Sequence, residues 1–229
     1  MGFIFPYKSK VISILNINHD VILLRITKPY KYFFKLGQAV DISIDKPGYE
    51  LSVASFTISN VPNDDYLEFI IKVYRRENGL TNGIAQLEPN DTIQLSKAWD
   101  VYTYNGSGTF IAAGTGITPF LPIFKEMQEK GIDIKKDHSL IYANKTKDDI
   151  LFYKKLKQLF HSRLSIFLSS TKYKNFYFGK VDQEYLSELI PNSEQKFYVC
   201  GPRHFEMDIK SFLINLGVKK DYIQTGYHV

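Results

Sequence analysis

Cysteine is almost missing from this chain. The single one, Cys200, leaves no partner for an internal disulfide and no thiol set for a four-cysteine iron–sulfur cluster. The five histidines (His19, His138, His161, His204 and His228) are scattered without metal-ligand spacing, so no protein-held metal site is expected. No apolar run is long enough to span a bilayer. Met1 to Lys10 lacks the apolar core of a secretion signal, and Pro6 breaks a myristoylation pattern. The expectation is a cytoplasmic protein with no membrane partner. No internal repeat, low-complexity tract or nucleic-acid-binding module is visible, so nucleic acid is not an expected partner either. A Ser/His/Asp constellation or carboxylate pair is also lacking, which turns attention from side-chain nucleophiles to bound cofactors.

What the chain does have is length and a modest excess of lysine. Its 229 residues are enough for one large domain or two small ones. A net charge of +5 is enough to steer an acidic partner, although a solvated lysine-rich surface accounts for it equally well.

The most informative stretch is Phe110-Ile111-Ala112-Ala113-Gly114-Thr115-Gly116-Ile117-Thr118-Pro119-Phe120. A short apolar run reads as a buried strand and passes directly into two glycines. Phe120, Ile123, Phe124 and Met127 then recur at helical spacing, with Pro119 suited to the helix's first turn. Strand, glycine turn and helix start can together hold an anion on free N–H groups. Pro119 replaces the third glycine of the dinucleotide fingerprint, and a tight turn without a ligand explains the bare pattern as well.

Upstream, the sequence alternates like short strands. Val11, Ser13 and Leu15 are expected on one side of the first and Ile12 and Ile14 on the other. Further strands read at Val21–Thr27, Val40–Asp45, Leu51–Ser59, Leu67–Val73 and Thr92–Ser96, the pattern of a small antiparallel barrel. Between the last two, Gly79 to Leu87 reads as a turn, an N-cap at Thr81 and a short helix, either a barrel seal or a second anion site beside Arg75 and Arg76.

Asn105-Gly106-Ser107-Gly108 reads as a linker, which divides the chain into 1–103 and 104–229. Downstream, strands at Thr109–Ala113, Ser139–Ala143, Arg163–Leu168 and Lys196–Cys200 alternate with helices. The helices are expected at Pro119–Lys130, Asp149–Phe160, Gln183–Leu189 and Phe205–Leu216. This alternation implies a Rossmann-like parallel sheet covered on both faces, with ligands beyond the carboxyl ends of its strands. Gly114–Thr118, Asn144–Thr146, Ser169–Lys172 and Cys200–Pro202 would then share one edge, with Lys145 and Lys172 as cations.

Six ordered signals resemble the ferredoxin–NADP reductase family over nearly the whole chain. They are Ser55-Phe56-Thr57-Ile58, Gly79-Leu80-Thr81, Ala112 to Pro119, Ile141 to Thr146, Gly179-Lys180-Val181-Asp182 and Tyr198-Val199-Cys200-Gly201-Pro202. The resemblance implies a six-stranded antiparallel Greek-key flavin-binding barrel over 1–103 and a nicotinamide-binding α/β domain over 104–229, similar to flavodoxin reductases without an iron–sulfur domain. It assigns the flavin, FAD or FMN, to Ser55, Phe56, Thr57 and Ile58, with the Phe56 ring on the isoalloxazine and the Thr57 hydroxyl near N5. Gly79, Leu80 and Thr81 would hold the pyrophosphate, with Arg75 or Lys72 as helper. Gly114, Thr115, Gly116 and Thr118 would meet NADPH or NADH, with Cys200, Gly201 and Pro202 beside the nicotinamide and Tyr227 covering the flavin. Lys145, Lys172 and Lys174 favour NADPH.

Thr57 and Cys200 would act where hydride passes from nicotinamide to flavin, the two rings held at contact distance. Two positions depart from the family pattern: Ala54 stands where an arginine usually binds flavin phosphate, and Thr225 stands where an acidic residue is common. The implied activity is electron transfer from NAD(P)H through flavin to flavodoxin or a ferredoxin-like carrier. The alternatives are an oxygenase reductase component, a free-flavin reductase, or a degenerate nucleotide-binding interaction module.

Overall fold

The computed structural model describes residues 5–49, 52–77, 79–190 and 192–226. It divides into two compact units, Met1–Val101 and Tyr102–Val229.

In the first unit, β1 (Tyr7–Asn16), β2 (Val21–Thr27), β3 (Gln38–Ile44), β4 (Ala54–Thr57), β5 (Tyr66–Lys72) and β6 (Thr92–Leu95) pair antiparallel in the order β4-β3-β6-β1-β2-β5. Just past β4, the Ser59 N–H donates to Glu68 O on β5 at 2.8 Å, which draws the two edges together into the expected barrel. Alternation sets the inward face: Ile22, Leu24 and Ile26 from β2 and Leu67, Phe69 and Ile71 from β5 are all buried in one core. Outside, Arg25 and Glu68 lie opposite each other and pair at 2.9 Å.

β1 departs from its expected pattern. A bulge between Val11 and Ser13 reverses the inward face, so that Ile14 packs on the core while Leu15 stays 54% exposed. The fourth strand is shorter than expected, covering Ala54–Thr57, and Leu51 lies outside the described residues. A two-residue strand, β7 (Trp99–Asp100), adds to β3. Helix α1 (Leu80–Ala85) has its N-cap at Gly79 rather than at Thr81. The Thr81 hydroxyl is instead used by the Tyr74 N–H, at 3.0 Å, which ties the helix to the end of β5.

The second unit holds six parallel strands in the order β11-β10-β9-β8-β12-β13. These are β8 (Gly108–Ala113), β9 (His138–Asn144), β10 (Leu164–Leu168), β11 (Tyr177–Phe178), β12 (Lys196–Cys200) and β13 (Ile223–Thr225). On one face, Ile111, Ile141, Phe167 and Val199 pack with Leu186 of α5 (Gln183–Leu189) and with Ile209 and Leu213 of α6 (Arg203–Asn215). On the other, Phe110 stacks on Tyr198 at 4.7 Å and meets Phe124 of α2 (Phe120–Glu129) edge-on at 4.8 Å. Phe160 of α4 (Tyr153–Phe160) adds a further edge contact to Phe124 at 5.0 Å, and the short α3 (Ile134–Asp137) leads into β9.

The fourth-helix boundary differs from expectation because Phe152 takes a left-handed φ of 55°, which an α-helix cannot continue through. The expected start at Asp149 becomes a separate 3₁₀ turn, Lys147–Asp149.

His138, at the start of β9, is buried against Phe110 and hydrogen-bonded to the Tyr104 hydroxyl at 2.9 Å. Burial lowers its pKa below the ordinary histidine value, so the neutral ring is favoured in the fold. Its contribution is therefore complete above pH ~6.5 and is lost as pH falls through the lower folded value, by up to about 1.4 kcal/mol per unit. Urea titrations at pH 7 and pH 5 are expected to show this loss, and His138→Gln is expected to flatten it. An unchanged slope in the variant would place the proton uptake elsewhere.

Candidate functional site

Of the motifs expected to converge, those of the second unit do so at one sheet edge. The register pairs Cys200 with Ala112, Ala113 with Ala143, and Leu168 with Asn144, so β8, β9, β10 and β12 end together. The chain leaves β8 toward β9 and β10 on one side, with β12 on the other, making the gap between β8 and β12 the point where strand order reverses.

At that point Gly114–Ile117 forms a 3₁₀ turn, and Pro119 caps α2 instead of lying in its first turn. Gly114 has φ 55°, and a Cβ there would meet nothing within 4 Å, so the turn's outer side is open. Gly116 has a different task. A Cβ on it would fall onto the Cys200 carbonyl, so only glycine lets the turn lie against the Cys200–Gly201 peptide.

Two side chains not singled out in the sequence lock this arrangement. The Tyr142 hydroxyl, fully buried on β9, donates to Gly114 O at 3.0 Å and accepts from Leu151 N–H at 3.4 Å. Glu206, 3% exposed, accepts from Gly201 N–H at 3.1 Å and lies 3.5 Å from the Tyr102 hydroxyl, which donates to Val199 O at 2.7 Å. The signal for Glu206 was present: it shares the buried stripe of α6 with Ile209 and Leu213, an unusual place for a carboxylate. Cys200 lies among these groups. Cys200 is itself partly buried, and desolvation pushes its thiol up to about 12, with Glu206 adding to the shift, which favours the neutral thiol over the thiolate.

Along the same edge, Thr146 and Asp149 close a capping box, and Ser169 and Ser170 donate to Asn144 O and Lys145 O. Lys145, Lys172 and Lys174 are exposed, with the Lys172 ammonium over the Phe178 ring at 5.2 Å. Thr118 is buried, Thr115 is partly exposed and Pro202 is exposed. Tyr227 lies outside the described residues.

In the first unit, Phe56 shares the inward face with Val40 and packs partly on the barrel core. Ser55 and Thr57 point the other way, and the Ser55 hydroxyl donates to Asp41 at 2.6 Å. Ile58 is buried. Lys72 is paired with Asp20 at 2.6 Å, which leaves exposed Arg75 and Arg76 as the cations near Gly79 and Leu80. No side chain caps α1 at Gly79.

The family model of an FAD-binding domain matches residues 6–113, and that of an oxidoreductase NAD-binding domain matches residues 110–211. NADH-cytochrome b5 reductase 1 of Laccaria bicolor is 30% identical over 181 residues, 73% of this chain and 58% of the relative. The same-named protein of Kluyveromyces lactis is 26% identical over 239 residues, 94% of this chain and 80% of its own. The chain spans only 58% and 50% of the first two curated relatives it matches. Among solved structures, a ferredoxin NADP+ reductase from Neisseria gonorrhoeae with bound FAD and NADP superposes with a TM-score of 0.79. That match has 18% identity and covers 96% of this chain and 98% of the other. The CS-b5R domains of human Ncb5or in the NAD+ form give 0.83 at 23% identity, covering 96% and 69%. Among the described residues, no helix is long and apolar enough to cross a membrane.

Proposed function

Because this chain belongs to the ferredoxin–NADP reductase-like family, we propose that it is a flavin-dependent oxidoreductase using NADH, FAD and a cytochrome b5-type haem carrier. The haem carrier takes the place of the flavodoxin or ferredoxin expected at first, and NADH the place of NADPH. Both changes draw on the names of the relatives. The observation that most supports a nicotinamide site is the seating of the open glycine turn against Cys200–Gly201, which Gly116 alone permits.

Bound FAD would supply the hydride acceptor and the redox chemistry. The protein's own part is binding and orientation. In this reading Gly114 and Thr115 present backbone N–H groups to the dinucleotide phosphates, and neutral Cys200 packs beside the nicotinamide. Gly79, Leu80 and Arg75 hold the flavin phosphates, and Phe56 and Thr57 hold the ring. In this reading the flavin site falls to the first unit, Met1–Val101, and the nicotinamide site to the second, Tyr102–Val229, a division two residues before the one expected between 103 and 104.

An anaerobic titration of the purified protein tests this directly. Yellow material bleached by NADH is expected, with kcat/KM for NADH at least about tenfold above that for NADPH. Colourless protein that takes up no flavin would overturn the enzyme reading, and preference for NADPH would overturn the donor. Reduction of added cytochrome b5, compared with flavodoxin, decides the carrier.

A further inference from the structure

Large aromatic side chains seldom stand fully in water, yet the loop between β2 and β3 displays two. Tyr30 is 86% exposed and Phe33 is 85% exposed. Their neighbours are not loose. Tyr32 is buried, donates to Ser96 O at 3.1 Å and meets the Tyr7 ring edge-on at 4.8 Å. Phe34 is buried as well, with the Lys28 ammonium 5.4 Å from its ring centre. A tight turn closed by Tyr32 N–H to Pro29 O, with Lys31 at a left-handed φ of 56°, completes the tip. Alternate residues are thus anchored in the barrel, and Tyr30 and Phe33 are held outward by the fold.

Charge accompanies the rings. Lys28 is engaged by Pro62 O at 2.6 Å and Asp64 O at 3.1 Å. Lys31, between the two rings in sequence, and Lys35, two residues past Phe33, are both exposed, and the Lys31 ammonium lies 5.3 Å from the centre of Tyr30.

We propose that this loop is a membrane-contact element, in which Tyr30 and Phe33 enter the headgroup region of an anionic bilayer while Lys31 and Lys35 meet its lipid charges. Aromatic rings with a basic flank match that interface, where apolar and polar layers lie side by side. A protein partner fits less well. Two rings standing proud of the surface need a deformable medium or a matching pocket, and lysine is depleted at the centres of protein interfaces. The proposal does not depend on the redox reading, since it concerns only this loop.

The test is co-sedimentation of the whole chain with vesicles of phosphatidylcholine alone and of phosphatidylcholine with phosphatidylserine. Binding to the anionic vesicles is expected, weakening as salt is raised. Lys31→Glu/Lys35→Glu is expected to weaken it by about 25-fold or more, at roughly fivefold for each lysine lost. Tyr30→Ser/Phe33→Ser is expected to weaken it at least about tenfold. Neither pair should alter thermal unfolding, because these side chains are exposed. Failure of the wild type to bind anionic vesicles, or unchanged binding by the ring variant, would overturn the proposal. So would a result in which the rings matter only for reduction of a soluble haem protein without lipid.

Discussion

Gly116→Ala is expected to cost roughly 3 kcal/mol or more of stability and most of the affinity for nicotinamide dinucleotide. The added methyl would fall onto the Cys200 carbonyl oxygen, 2.6 Å from its carbon and 2.8 Å from Gly201 N. All three atoms are backbone, so no rotamer change relieves the overlap. Either the 3₁₀ turn lifts away or the end of β12 moves, and both carry proposed dinucleotide contacts. Gly114→Ala provides the comparison. Its methyl meets nothing within 4 Å, but φ of 55° is unfavourable for alanine by about 1–2 kcal/mol. Urea unfolding and dinucleotide titration of both variants should therefore rank Gly116→Ala as clearly the worse. Equal losses would mean that conformation, and not the contact between the two segments, governs the turn.

Glu206→Ala is the second large effect. Its carboxylate is buried in α6 and accepts the Gly201 N–H beside the Tyr102 hydroxyl. Truncation removes a buried hydrogen bond and leaves a cavity, together worth roughly 2–4 kcal/mol. Glu206→Gln keeps the volume and an acceptor oxygen, so a loss of about 1 kcal/mol is expected. Because Gly201 follows Cys200 directly, the alanine variant should also raise KM for the nicotinamide substrate. Chemical unfolding with steady-state kinetics separates the two consequences. An alanine variant unchanged in both would show that Glu206 does not position this segment.

Long periodic elements were legible in the sequence. The strand read at Val21–Thr27 is β2, α5 covers Gln183–Leu189, and β12 covers Lys196–Cys200, each as expected. The edge strands β7, β11 and β13 have two or three residues each, too few to show a period. The reversal in β1 depends on a bulge set by partner strands, which alternation within one strand cannot reveal. The cap of α1 was misplaced because Thr81 found a partner seven residues back, at Tyr74, in competition with the helix start. At the candidate site, the glycines and Cys200 were visible as residue types, and the parallel topology implied their shared edge. Which glycine needs to be a glycine for contact and which for conformation required the facing backbone.

The Tyr142 phenol joins two stretches that sequence comparison would treat as separate modules. Its oxygen bonds both the carbonyl of Gly114 and the amide of Leu151. Exchanging residues 145–151 for a relative's segment, as in building a chimera, would therefore also disturb the turn after β8 unless the strand supplying the phenol travels with it. Recombination points in this half of the chain belong before Gly114 or after Leu151, outside the span that this one hydroxyl ties together.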